Sequence, residues 1–273
     1  MAEIFGFDAY SPNEIAERVQ SVGVAKARLP LMSQVTLGVL AGGFIGLGAL
    51  YSTLLTSDTS LGFAASRLLG GLAFSLGLIL VVVAGAELFT GNNLLVMAWA
   101  DKRISTGELL ENWLIVYLAN FAGAIGLAYL VYFSGHWQMN NGAVGTNMVK
   151  IAAAKAAISF WEAFFKGILC NILVCLAVWL ALAGRSVIDK IFAIIFPISA
   201  FVAAGFEHSI ANMKFNRQIG DYVGKFYSVE GNPLNEAEFQ KHLAEVLPGP
   251  EDQKILEPIF KVGNWMTADA AAA

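Results

Sequence analysis

Two glutamates and one histidine lie inside long apolar stretches of this chain, where titratable side chains are rare. Glu87 interrupts one apolar run, and Glu207 with His208 interrupts another. A carboxylate at the centre of a membrane helix costs about 2.5–3.5 kcal/mol, so such groups persist where they face protein or water. We therefore interpret both positions as parts of a pathway through a membrane protein.

The two interruptions resemble each other in sequence. Residues 85–93 read GAELFTGNN and residues 205–213 read GFEHSIANM, an offset of 120 residues. The matched pairs are Gly85 with Gly205, Glu87 with Glu207, and Asn92 with Asn212. The second copy lies three spans after the first, so the two have opposite orientations. Interrupted hydrophobic segments at corresponding positions of two halves predict an inverted-repeat transport protein with its site at the repeat interface.

His208 has the most suggestive chemistry of these residues. Imidazole titrates near neutral pH, and in a membrane break it can exchange a proton with a permeant ion. Thr90 lies opposite it in the repeat, where a hydroxyl can donate to an anion and accept from an imidazolium. Four further side chains are predicted to shape the two loops by hydrogen bonding: Glu87, Asn92, Glu207 and Asn212. Whether the glutamates also act on the permeant stays open.

The consecutive residues Glu207, His208 and Ser209 suggest a hydrolase as an alternative. Neighbouring side chains on a helix point about 100° apart, whereas a catalytic triad is a set of converging side chains. We therefore predict that the chain is not an enzyme. The other histidines, His136 and His242, stand apart, so we predict neither a metal nor a cofactor.

Composition places these residues in a membrane body. The 273 residues are 57% hydrophobic and 14% charged, against about 25% charged in soluble proteins. This excludes a disordered chain, a basic nucleic-acid binder and an ordinary cytosolic enzyme. The charges are uneven, because residues 214–273 hold 15 of the 38 charged side chains.

About five spans can be counted from the apolar runs, two of them interrupted by a carboxylate. The runs lie between Arg28 and Asp58, Arg67 and Asp101, Glu111 and His136, Lys166 and Arg185, and Lys190 and Met213. A bilayer core needs roughly 20 apolar residues per helix. The fold class is therefore an all-α membrane protein with an inverted repeat and two broken transmembrane helices.

The N-terminal residues predict a short amphipathic helix. Ser11 and Glu14 form a capping box with Pro12 at the first helical position, and the helix is expected to run to about Val24. It either lies on the membrane or closes a pore mouth, or it only anchors the N-terminus. Seven Lys and Arg residues on the N-terminal side, against three or four opposite, favour a cytoplasmic N-terminus and a multi-pass inner-membrane protein.

Five stretches resemble the formate/nitrite transporter family, and within it the formate channels most closely. They are GGLAFSLGLIL (70–80), GAELFT (85–90), GILCNILVCLAVW (167–179), GRSVIDK (184–190) and GFEHSIANM (205–213). The similarity extends from about residue 5 to residue 213. It implies a homopentamer of aquaporin-like protomers, each with its own pore. It also implies passage of small monovalent anions such as formate, with nitrite or hydrosulfide as further candidates.

The resemblance also implies roles for individual residues. His208 corresponds to the central histidine and Thr90 to the loop threonine, whereas Lys155 and Asn171 correspond to a vestibule lysine and asparagine. Apolar constrictions are expected at Phe74, Leu78 and Phe201 on one side and at Leu88, Phe89 and Val174 on the other. A bare charge is costly in an apolar ring. We therefore expect a proton from His208 to let a carboxylate cross as the neutral acid.

The chain departs from this family after Met213. The family has six spans, whereas no run in residues 214–273 is apolar and long enough to cross a bilayer. We divide the chain into a cytoplasmic N-terminal helix (1–28), a channel body (29–213) and a polar tail of unknown role (214–273). The tail has three explanations: a divergent family member, a fused or altered reading of the C-terminus, or an engineered end. A non-conducting membrane scaffold is therefore an alternative function.

Overall fold

The computed structural model describes residues 9–156, 158–213, 228–229 and 232–233. Its helices are α1 (Pro12–Ala27), α2 (Leu31–Leu55), α3 (Phe63–Ala84), α4 (Phe89–Asn92), α5 (Leu95–Ala100), α6 (Thr106–Phe133), α7 (Ala143–Ala156), α8 (Phe160–Ala183) and α9 (Val187–Ala204). A 3₁₀ helix, His136–Gln138, follows α6. Two short strands, β1 (Ser228–Val229) and β2 (Asn232–Pro233), pair antiparallel.

Among the described residues, five helices are long and apolar enough to cross a membrane: α2, α3, α6, α8 and α9. This confirms the predicted all-helical membrane fold with about five spans. The helix predicted from Ser11 is present and extends to Ala27. Apart from the four strand residues, the tail 214–273 lies outside the described residues.

Serine caps fix where several helices begin. At the start of α1, the Ser11 hydroxyl accepts from the Glu14 N–H while the Glu14 carboxylate accepts from the Ser11 N–H. The same reciprocal pairing occurs between Ser105 and Glu108 at α6 and between Ser186 and Asp189 at α9. These bonds satisfy backbone donors that the first helical turn leaves unpaired.

Two glycines end the broken helices in the same way. Gly85 after α3 has φ of +81° and Gly205 after α9 has φ of +74°, a left-handed conformation that glycine adopts without steric cost. Three residues without regular secondary structure follow each glycine, and helix resumes at Phe89 in the first break and at Ser209 in the second. The matched breaks confirm the inverted repeat expected from the sequence.

The two halves pack through small residues on α3 and α9. The Ser75 hydroxyl donates to the Ile195 carbonyl at 3.3 Å, and Gly71 lies directly against the backbone of Ser199. Small residues let membrane helices approach closely, which compensates for the weak hydrophobic drive between helices in lipid. The main buried cluster lies between α2, α3, α8 and α9 and encloses both breaks.

Candidate functional site

The two breaks meet at a hydrogen bond between Thr90 and His208. Thr90 Oγ1 lies 3.0 Å from His208 Nε2, although the residues are 118 positions apart. Both side chains are buried. Thr90 is held by the first turn of α4, and His208 is the last residue before helix resumes in the second break. The repeat thus brings one side chain from each half to the centre of the body.

The partner of the second ring nitrogen assigns the tautomer of His208. The backbone N–H of Ala211 donates to His208 Nδ1 at 3.1 Å, so Nδ1 is an acceptor. A neutral imidazole with an accepting Nδ1 carries its proton on Nε2 and donates it to Thr90 Oγ1. The hydroxyl hydrogen of Thr90 is then available for a further acceptor, such as an anion.

A cavity of about 670 Å³ lies on one side of this pair, which we call the Lys155 side. Lys155 Nζ is 2.5 Å from Glu207 Oε2, and Lys166 pairs with Glu162 at 2.7 Å. Arg67 also lines the cavity. Three cationic side chains therefore face two carboxylates, which gives this cavity a net positive charge.

Aromatic rings connect the cavity to the central pair. Phe74 and Phe201 meet edge to face with centroids 5.5 Å apart, and the Phe201 ring stacks on His208 at 5.8 Å. Both phenylalanines are buried and line the cavity together with His208. An ion beside the histidine on this side therefore contacts apolar rings, which offer no replacement for its hydration.

A smaller cavity of about 170 Å³ lies on the opposite side, under α1. Leu78 and Leu88, both buried, form part of its wall, and Lys26 of α1 faces it. Helix α1 packs on α5, where Gly23 lies against Ala98. The N-terminal helix thus covers this end of the path, which we call the α1 side.

Each break carries the same trio of a lysine, a glutamate and an asparagine. In the first break, Asn92 Nδ2 donates to Glu87 Oε2 at 2.7 Å, and Lys26 Nζ lies 2.8 Å from Glu87 Oε1. In the second break, Asn212 Nδ2 donates to Glu207 Oε2 at 2.8 Å, and Lys155 completes the trio. Each glutamate therefore forms an ion pair with a lysine and accepts a hydrogen bond from an asparagine of its own break.

The other predicted residues lie in three places. Val174 is buried in the core of the body. The Phe89 ring packs on α6 against Trp113 and Tyr117, with centroids 6.3 and 5.1 Å apart. Asn171 does not line the Lys155-side cavity; it lines a lateral cleft of about 570 Å³ beside α8, together with Thr90 and His208.

Lys26 and two asparagines of α6 also contact the first break, although the sequence pattern does not predict them. Asn112 Oδ1 accepts from Asn92 Nδ2 at 3.0 Å, and Asn120 bonds the first break directly. The available signal for Lys26 was the repeat itself, since a lysine precedes the first span of each half, Lys26 before α2 and Lys155 before α8. The contacts of Lys26, Asn112 and Asn120 with the first break could not be predicted, because these residues are far from it in sequence.

Known proteins similar to this chain are formate channels and transporters. The model of the formate/nitrite transporter family matches residues 13–219. The formate channel FocA of Escherichia coli K12 is 43% identical over 225 residues, which cover 82% of this chain and 79% of that protein. A probable formate transporter of Methanothermobacter thermautotrophicus is 36% identical over 231 residues, covering 78% and 84%.

A solved structure shares the fold. It is described as a pentameric formate channel with formate bound, and it aligns with a TM-score of 0.68 and 32% identity. The alignment covers 88% of this chain and 98% of that one. These relatives are channels and transporters rather than enzymes, and they place the chain among multi-pass membrane proteins that pass small anions.

Proposed function

Because the chain belongs to the formate/nitrite transporter family, we propose that it conducts formate through a path centred on Thr90 and His208. The observation that carries the proposal is the buried 3.0 Å contact between these side chains, where the two helix breaks meet. Cavities reach the breaks from both sides.

Net positive charge draws the anion into the cavity on the Lys155 side, whereas on the α1 side Glu87 balances the charge of Lys26. Lys155 and Arg67 face the larger cavity, and Lys26 faces the smaller one. Each lysine is paired with a glutamate that also binds an asparagine, so neither ammonium binds the anion strongly enough to trap it. Conduction needs attraction that is weak enough to permit release.

The apolar side chains on either side of the centre set the energy barrier to an anion, and the Thr90–His208 pair lowers this barrier. Phe74 and Phe201 on one side and Leu78 and Leu88 on the other exclude larger hydrated ions. An isolated carboxylate in such surroundings costs several kcal/mol or more. The Thr90 hydroxyl hydrogen, which the tautomer of His208 leaves available, offers the stripped anion a charge-assisted hydrogen bond.

A proton from His208 removes the remaining free-energy cost of moving the carboxylate past the apolar side chains. Protonation at Nδ1, which releases the Ala211 N–H, creates an imidazolium. Its Nε2–H bond breaks, the electron pair stays on nitrogen, and the proton forms an O–H bond with formate. Neutral formic acid then crosses the apolar ring and releases its proton to water on the far side. A hydronium ion from the cavity gives the next proton to Nε2, which restores the imidazolium. The exchange couples formate passage to proton movement.

We propose that the α1 side faces the cytoplasm of a cell with this protein in its inner membrane. The excess of Lys and Arg in the segments on that side supports this orientation. We also propose that five copies assemble, each with its own path, as in the pentameric relative. Exposed apolar side chains such as Leu118 and Phe165 would contact lipid or neighbouring copies.

Flux into liposomes tests the proposal. Purified protein is reconstituted, its oligomeric state is measured, and uptake of formate, nitrite and hydrosulfide is compared with protein-free liposomes. Formate uptake above that of the other two supports the proposal. Preference for nitrite or hydrosulfide would assign the same path to those anions. A correctly inserted protein that passes none of the three would instead support a scaffold, an alternative favoured by the cleft beside α8, which no described residue fills.

A further inference from the structure

Helices α2 and α8 occupy equivalent places in the two halves, at an offset of 129 residues. The stretch GVLAGGFIG (38–46) aligns with GILCNILVC (167–175). Buried positions agree in this register, since Ala41 and Ile45 match Cys170 and Val174, all of which face the common core. What covers α2 therefore indicates what the equivalent face of α8 is built to receive.

Helix α6 covers the small-residue face of α2. Gly42 lies directly against the backbone of Asn120, and Gly38 lies against the side chain of Ala119. Gly123 of α6 in turn approaches the carbonyl of Val39. These contacts are too close to admit a Cβ atom, so the two helices touch backbone to backbone in the manner of membrane helix pairs.

One amide of α6 also satisfies the broken backbone. Asn120 Oδ1 accepts from the Phe89 N–H at 2.9 Å. Its Nδ2 donates to the carbonyls of Glu87 and Gly38, both at 2.8 Å. In lipid, unwound backbone has to find such partners within protein. The first break is thus completed by a helix that brings its own polar group.

The matching face of α8 lies open among the described residues. Nothing described lies within 4 Å of a Cβ placed on Gly167, and Ile168 and Ile172 are 44% and 51% exposed. This face lines the 570 Å³ cleft that reaches Thr90 and His208. One buried amide oxygen of this lining, Oδ1 of Asn171, accepts no hydrogen bond from the described chain.

We infer that this cleft binds a transmembrane helix from another polypeptide, antiparallel to α6 and carrying a buried amide. Residues 214–273 are poorly suited to the place, because charged residues divide them into uncharged runs of fewer than ten. A lipid chain would fill the volume but would offer no donor to the buried Oδ1 of Asn171. The inference rests on the repeat and does not depend on which anion the path conducts.

A cysteine crosslink to a defined peptide tests this inference. The probe has the sequence of Thr106–Phe133 followed by three lysines, which hold its C-terminus on the α1 side, with Ala119→Cys as its reactive position. The full chain carries Cys170→Ala and Cys175→Ser, and then either Ile168→Cys or Leu169→Cys. These two positions are equally exposed, at 44% each, but only Ile168 lines the cleft.

We expect the peptide to crosslink at position 168 and only weakly at position 169. A peptide with Asn120→Leu should lower the yield at 168 about fivefold, because it loses the amide. Equal yields at the two positions, or no effect of the amide, would overturn the inference. Labelling of Ile168→Cys by a photoreactive lipid that the peptide fails to displace would also overturn it. Elution of each variant as the same oligomer as the parent checks folding.

Discussion

The two halves carry the same break in different surroundings. In the first half, Glu87 is almost fully buried under α1 and α6 and bonds Lys26 and Asn92. In the second half, Glu207 and Lys155 line the large cavity, and the side of α8 next to the break is open within the described chain. The difference indicates that the first trio mainly holds structure, whereas the second is in a position to meet the permeant.

Removing each glutamate's charge should separate these roles. Glu87→Gln leaves the Lys26 ammonium partly buried without its counter-ion, and breaking a buried pair costs about 3–5 kcal/mol. Glu207→Gln leaves Lys155 facing the larger cavity, so we expect a much smaller loss of stability and a changed formate flux. Thermal unfolding followed by size-exclusion chromatography measures the stability of both variants, and uptake into liposomes measures their formate flux. Equal destabilisation by the two variants would contradict the division of roles.

Losing the Thr90 hydroxyl should reduce flux without disturbing the fold. Thr90→Val leaves His208 Nε2 without its partner and removes the donor proposed for the anion, and an unsatisfied buried group costs about 1–3 kcal/mol. We expect formate uptake to fall about tenfold or more, and Thr90→Ser to restore most of it. Stopped-flow uptake into liposomes checks this. Uptake by the valine variant equal to that of the parent would remove Thr90 from the path.

Replacing the capping glycines should affect the two halves equally. Gly85→Ala and Gly205→Ala place a Cβ on a left-handed backbone, which costs about 1–2 kcal/mol. Among the described residues, nothing lies within 4 Å of a Cβ at Gly85, and the nearest atom to one at Gly205 is the Arg67 guanidinium at 3.6 Å, so steric overlap adds little at either site. Similar falls in melting temperature are expected. A much larger fall for one variant would show that the two breaks differ in more than their surroundings.

Much of this comparison was predictable from the chain alone. The spans and both breaks follow from apolar runs interrupted by Gly85, Glu87, Gly205 and Glu207, because lipid leaves few structural options to such sequences. The contacts of Lys26, Asn112 and Asn120 did not follow, since they join helices far apart in sequence. The side-chain register of packed helices, which places Asn171 in the cleft, also required the tertiary structure.

The smallest effect is expected at the cap of α1, the helix that covers the first half. Hydrogen bonds from Ser11 hold the pKa of Glu14 below its ordinary value. A lowered pKa means that the cap stabilises α1 above the ordinary pKa and that this contribution is lost as the pH falls through the folded value. Below about pH 4 we expect faster proteolysis near residue 12, with Glu14→Gln showing no such pH dependence. The same acid sensitivity in that variant would contradict this account.

The central claim is that His208 exchanges a proton with formate, and the pH dependence of flux tests it most directly. Formate uptake into liposomes is measured from pH 8 to pH 5, across the range in which histidine titrates, after subtraction of uptake by protein-free liposomes. Variants His208→Phe and, as a matched histidine control, His136→Gln are measured beside the parent. We expect uptake by the parent and the control to rise as the pH falls and the profile of His208→Phe to be flat. A His208→Phe profile that matches the parent would contradict the claim.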